Sequence, residues 1–216
     1  MRENIINAIL ENKIISIVRG MDEEKAMKIA DALYEGGIRL VEVTFNQKDP
    51  STHKVSAAAI RAIKEKYEGK MLVGAGTVTS VELVELAASA GAAYIISPDT
   101  DPEVIRRTKE LGLVSLPGAY TATEAKIAHN AGADFVKLFP CIEGAPAYLK
   151  ALCAPLNHIK FLAVGGVNAD NCAEFMKAGA VGVGVGGCLV NKKWVDAGEY
   201  WRITEEAKRF IENINK

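Results

Sequence analysis

The chain has 216 residues, 49% of them hydrophobic and 25% charged, and its 26 Lys+Arg against 27 Asp+Glu leave a formal net charge of −1. That balance is too apolar for a disordered chain and too even in sign for a nucleic-acid binder held by charge; the length also exceeds that of disulfide-stapled miniproteins. A single domain over residues 1–216 is the expectation, since one barrel of strands and helices routinely fills roughly 200 to 250 residues.

Residues 2–12 read as a helix ahead of the first strand. Eight short runs rich in Val, Ile, Leu and Gly then follow at 14–20 (IISIVRG), 39–45 (RLVEVTF), 71–78 (MLVGAGTV), 93–99 (AYIISPD), 113–120 (LVSLPGAY), 134–140 (DFVKLFP), 160–167 (KFLAVGGV) and 181–187 (VGVGVGG). Each has strand length, and each is followed by a stretch of helical spacing. A Gly sits just before the next strand in EGGIRLVEV, SAGAAYII, ELGLVSL, NAGADFVKL and KAGAVGVGV, where a residue free to turn left-handed ends a helix. Asp22, Thr79 or Ser80, and Thr123 are the candidate N-caps, each able to accept from free amides at a helix start. Eight strand–helix units without a linker predict an α/β chain forming one parallel (β/α)8 barrel with an extra N-terminal helix. An open doubly wound sheet is the structural alternative.

The four cysteines, Cys141, Cys153, Cys172 and Cys188, form no CxxC pair and read as reduced thiols of a cytoplasmic protein. No run of about eighteen apolar residues and no export signal is visible, so neither a membrane nor a nucleic acid is an expected partner. His53, His129 and His158 have no metal-ligand spacing and read as surface residues, and no metal site is expected. Trp194 and Trp201 read as packing for the final helix, in the core or at an interface, rather than as ligand contacts.

In a parallel barrel one strand face packs on the helices and the other fills the interior, so alternation tells where an odd polar residue points. In RLVEVTF, Val41, Val43 and Phe45 share one face and Leu40, Glu42 and Thr44 the other; in DFVKLFP, Val136 and Leu138 oppose Phe135, Lys137 and Phe139. The aliphatic sets suit the helix layer, which leaves Glu42 and Lys137 pointing inward. Arg19 and Thr77 point in by the same rule, and all four fall late in their strands, at the end where barrel active sites form. An isolated buried charge costs several kcal/mol by the usual order-of-magnitude estimate, so Glu42 and Lys137 each need a partner, water or a purpose, and near the mouth the two could supply each other. One reading of that pair is a buried ion pair that fixes strand register. The other is chemical: desolvation lowers a buried lysine's pKa and frees its amine to attack a carbonyl, with a nearby glutamate moving protons.

AVGGVNADN and GVGVGGCLV are Gly-rich strand ends, and in barrels of this kind the last two units often hold phosphate on backbone amides. Gly165, Gly166, Gly186 and Gly187 are the candidates. Cys141 and Cys188 follow strand ends and read as small lining residues.

VEVTF, VGAGTV, ISPD, LPGAYT, VKLFP, VGGV and VGVGG occur here in the order seen in the 2-keto-3-deoxy-6-phosphogluconate (KDPG) and 4-hydroxy-2-oxoglutarate (KHG) aldolase family, which the chain resembles from Ile14 to about Val190. The resemblance implies a lyase of class I that needs no metal or other cofactor. It would cleave a 2-keto-4-hydroxy acid, phosphorylated or not, to pyruvate and an aldehyde, and would work as a homotrimer. It implies Lys137 as Schiff-base lysine and Glu42 as general acid and base. Arg19 and Thr77 would hold the pyruvyl carboxylate, and Pro98, Phe139, the four glycines and Cys188 would complete the substrate site. Asn46 stands where many members carry an arginine, Val164 where a threonine is usual, and Cys188 where serine is frequent. Two rival functions remain at this level: a sugar-phosphate isomerase or epimerase with no covalent intermediate, and a catalytically silent ligand-binding barrel.

Overall fold

The computed structural model describes residues 2–216. Its strands are β1 (Ile14–Val18), β2 (Leu40–Thr44), β3 (Leu72–Gly76), β4 (Tyr94–Ile96), β5 (Val114–Leu116), β6 (Gly118–Ala119), β7 (Val136–Leu138), β8 (Phe161–Val164) and β9 (Gly182–Val185). All pair in parallel, in the order β5-β4-β3-β2-β1-β9-β8-β7-β6. The run at 113–120 supplies both β5 and β6, broken at Pro117, which has no amide to give to a ladder. β5 pairs with β4 and β6 with β7, so this one run joins the two ends of the sheet and closes the barrel. Neighbours in space are neighbours in sequence all the way round, which excludes the doubly wound alternative, whose strand order reverses.

Helices α1 (Arg2–Asn12), α2 (Glu23–Glu35), α3 (His53–Lys66), α4 (Val81–Ser89), α5 (Pro102–Glu110), α6 (Ala122–Asn130), α7 (Ala145–Cys153), α8 (Cys172–Lys177), α9 (Lys192–Asp196) and α10 (Trp201–Asn213) accompany the strands. The glycine stops are real: Gly37, Gly91, Gly112, Gly132 and Gly179 all have positive φ. Asp22 and Ser80 cap α2 and α4 as expected. Thr123 does not cap α6. That role falls to Thr121, which accepts from the Glu124 amide while the Glu124 carboxylate takes the Thr121 N–H, a reciprocal capping box that occupies two free amides.

Two apolar layers follow from the alternation. Outside the barrel, Val41, Val43, Phe45, Val136 and Leu138 belong to one buried apolar layer with helix residues such as Ile29, Leu33, Ile60 and Ala125. Inside it, Ile15, Leu40, Tyr94, Ile96, Val114, Leu116, Phe135 and Leu162 fill the lower half, and Ile9 of α1 joins them. Ile5, Ile6 and Leu10 pack against the same set, so α1 stoppers the N-terminal end. Each such Leu, Ile or Phe is worth about 1.5–3 kcal/mol when fully buried. Polar and charged interior positions are thereby confined to the other end.

α10 lies on α2, with Ile203, Ala207 and Phe210 fully buried and the Thr204 hydroxyl donating to the Ala32 carbonyl at 3.0 Å. Trp194 packs against the outer core as expected. Trp201 takes no place in that core: it is 62% exposed, with the Arg202 guanidinium 5.2 Å from its ring centre. Among the described residues no helix is long and apolar enough to cross a membrane, and no three His, Cys, Asp or Glu side chains gather as a metal site. The four cysteines are all free.

Candidate active site

Glu42 on β2 and Lys137 on β7 both point into the barrel, 3% and 7% exposed. Strand alternation puts them there, and the register carries them to the C-terminal half: Glu42 is opposite Gly74 of β3, and Lys137 opposite Gly118 of β6 and Leu162 of β8. Burial pushes the Lys137 amine below its ordinary value of 10.5, with Glu42 opposing that shift and Arg19 adding to it. Burial pushes the Glu42 carboxyl above its ordinary 4.5, against the pull of Lys137 and Arg19. For both groups desolvation is the dominant cause.

Of the two readings of this pair, the direct ion pair that fixes register is absent. Among the described residues no salt bridge joins Glu42 to Lys137, although each feels the other's charge. The Lys137 Nζ instead lies 4.6 Å from the centre of the Phe139 ring, facing the cavity. A lysine tied to a carboxylate would be a poor nucleophile; this one is held by burial and an aromatic face, with its nitrogen accessible.

Above Lys137 opens a cavity of about 430 Å³. Its wall includes Arg19 after β1, Thr77 after β3, Pro98 after β4, Phe139 after β7, Gly165 and Gly166 after β8, and Gly186, Gly187 and Cys188 after β9. Every substrate-site residue expected from the sequence therefore lines one space. Glu42 lies beneath that wall, against Gly76.

The Gly165–Gly166 turn has φ of 87° and 72°, and a Cβ on Gly166 would run into the Cys141 carbonyl. Beyond it, Asn168 and Asn171 exchange side-chain bonds with each other's backbone, and Asn171 Nδ2 donates to the Gly166 carbonyl at 3.0 Å. The Cys188 thiol donates to the Val167 carbonyl at 3.1 Å and ties the two Gly-rich loops together. Cys141 is a backing residue: buried, its thiol pushed up to about 11 by desolvation, it takes no place in the wall.

Val164, which stands where the family usually has threonine, lines the cavity too; Ile17, Val167, Asn168 and Gly184 also line it and were not singled out in the sequence. The Asn-x-x-Asn spacing one residue after Gly-Gly was the one available signal, since such pairs fold into side-chain-closed turns. Asn46 contributes nothing to the wall. Its Oδ1 accepts from the Lys48 amide at 3.1 Å and its carbonyl meets the His53 ring, so it serves its own turn.

A closed parallel barrel, plugged at one end and opening at the other onto a buried lysine and glutamate, defines a barrel enzyme. Residues 5–206 match the family model for KDPG and KHG aldolase. The chain belongs to that family and is an aldolase, a lyase. It is 39% identical, over 82% of this chain and 83% of the relative, to a 2-dehydro-3-deoxy-6-phosphogalactonate aldolase of Escherichia coli (strain K12). It is 32% identical, over 97% of each, to a 2-dehydro-3-deoxy-phosphogluconate aldolase of Treponema pallidum (strain Nichols). A solved native KDPGal structure superposes with a TM-score of 0.82 at 36% identity over 93% of both chains. A KDPG aldolase from Legionella pneumophila, solved with pyruvate captured as a covalent carbinolamine, gives 0.83 at 26% identity over 94% of this chain and 96% of that one.

Proposed function

We propose that this protein cleaves a phosphorylated 2-keto-3-deoxy sugar acid to pyruvate and glyceraldehyde 3-phosphate through an imine on Lys137. The observation that carries the reading is the Lys137 amine itself: buried, lowered in pKa, free of an ion pair and facing the cavity. The neutral amine attacks the C2 ketone and forms a carbinolamine, which loses water to give the iminium. The Glu42 carboxylate takes the C4 hydroxyl proton, the C3–C4 bond breaks, and its electron pair flows into the iminium to leave an enamine. The aldehyde departs. Glu42 returns its proton to C3, and water releases pyruvate and restores the amine. A carboxyl raised above 4.5 by burial suits this duty, because it holds and releases a proton nearer neutrality.

Arg19 and Thr77 hold the pyruvyl carboxylate, and the Gly165–Gly166 and Gly186–Gly187 amides take the distal phosphate. The six-carbon phosphorylated acids, gluconate- or galactonate-derived, are favoured by the names of the relatives. The unphosphorylated alternative, 4-hydroxy-2-oxoglutarate cleaved to glyoxylate, uses the same chemistry and leaves the glycine loops empty. Incubation with pyruvate and borohydride, followed by peptide mass spectrometry, tests the imine: a reduced pyruvyl adduct on Lys137 is expected. Its absence from folded protein would return the choice to a non-covalent isomerase or a silent binder. Turnover of the three acids side by side then selects the substrate. The homotrimer implied by the resemblance is read by sedimentation, and one folding unit over residues 1–216 by a single unfolding transition.

A further inference from the structure

We propose that Gln47 is a positioning residue for this site, clamping Thr77 in a left-handed backbone conformation so that Thr77 meets the substrate carboxylate. Thr77 has φ of 56°, a region that a β-branched residue enters only under compulsion from its surroundings. It stands at the end of β3 and lines the cavity with Lys137. Gln47 supplies the compulsion. Its Nε2 donates to the Thr77 carbonyl at 2.8 Å, and its Oε1 accepts from the Thr79 hydroxyl at 3.1 Å. A backbone carbonyl only accepts, so the amide has one workable orientation, and both of its ends are committed to residues flanking the turn. Between them Val78 is fixed to β4, its amide donating to Ile96 and its carbonyl accepting from the Ser97 hydroxyl.

The turn that presents Gln47 is itself held. The Phe45 amide extends the β2–β3 ladder to the Gly76 carbonyl, Asn46 Oδ1 accepts the Lys48 amide, and the Asn46 carbonyl accepts from Asp49 and meets the His53 ring. Asn46 is thus the brace of the turn and Gln47 the arm that crosses from β2 to β3. Gln47 is exposed and stands outside the cavity wall, so it acts on substrate through Thr77. This inference rests on the reading of Thr77 as a carboxylate anchor.

The test is a double-mutant cycle on the condensation reaction, with pyruvate and aldehyde varied separately. Gln47→Ala should raise KM for pyruvate about tenfold, the scale of one lost charge-linked hydrogen bond, while leaving KM for the aldehyde unchanged. Gln47→Glu, which keeps the acceptor for Thr79 but loses the donor to Thr77, should do the same. In a Thr77→Gly background, where the left-handed turn needs no clamp, Gln47→Ala should add nothing further. An unchanged pyruvate KM in Gln47→Ala, or an equal shift in both backgrounds, would overturn the proposal. Pyruvate trapping on the unmodified protein separates the two levels: an adduct at Lys137 without a Gln47 effect overturns this inference alone, and no adduct overturns the aldolase mechanism and this inference with it.

Discussion

Glu42 occupies the space that a side chain on Gly76 would fill. A Cβ built on Gly76 falls on the Glu42 carboxyl group, so the glycine at the end of β3 is what lets the carboxylate lie down inside the barrel. Tyr94 lies over Gly74 in the same way, two residues earlier, and donates its hydroxyl to the Val41 carbonyl at 2.7 Å. Two missing side chains on β3 thus shape the floor under the cavity.

Gly76→Ala is therefore expected to expel Glu42 while sparing Lys137. Turnover should fall by about 10²–10⁴-fold, the usual worth of an acid–base group, with a stability loss of about 1–3 kcal/mol from overpacking. Pyruvate should still be trapped on Lys137. Steady-state cleavage rates beside borohydride trapping check this; loss of both in a folded variant would contradict it.

The pH dependence of trapping reports the Lys137 amine. Its inflection should lie below the ordinary 10.5, because desolvation disfavours the cation. Glu42 raises that pKa and Arg19 lowers it. Glu42→Gln should accordingly move the inflection to lower pH, and Arg19→Met to higher pH. Movement of both variants in one direction would show that the two charges do not act on Lys137 as described.

Stability carries the same signature with a definite sign. The folded-state pKa of Lys137 is below its unfolded value, so the folded protein binds fewer protons in the window between the two, and stability rises with pH across it. Lys137→Met should raise Tm at neutral pH, and the advantage should shrink as pH climbs from the folded pKa toward 10.5. Thermal melts across that range decide it.

Gly166→Ala would place a methyl against the Cys141 carbonyl at a φ of 72° and distort the turn after β8. KM for a phosphorylated substrate should rise roughly tenfold, on the scale of a lost hydrogen bond to an anion, with KM for pyruvate in condensation unchanged. Equal loss for 4-hydroxy-2-oxoglutarate would argue against a phosphate role for this turn.

Thr121→Ala removes the α6 capping box and should cost about 0.5–2 kcal/mol, whereas Thr123→Ala, inside the helix, should be near neutral. Chemical denaturation of the two variants distinguishes them.

The barrel and its inward charges were legible in the sequence because both are local. Period-two alternation in RLVEVTF and DFVKLFP states which face each residue takes, and the glycines before each strand state where helices stop. Given parallel strands, Glu42, Lys137, Arg19 and Thr77 had to converge on one mouth. The tertiary structure alone decided the rest. Whether Glu42 reaches Lys137 depends on a distance across the barrel set by register and side-chain volume, and no run of sequence contains it. The pairing of β1 with β9, the stoppering of the barrel by Ile9, and the hold of Gln47 on Thr77 are likewise contacts between separate elements of the chain. Periodicity encodes direction, which belongs to one strand; pairing and reach belong to several elements at once, and are fixed only when the chain has packed.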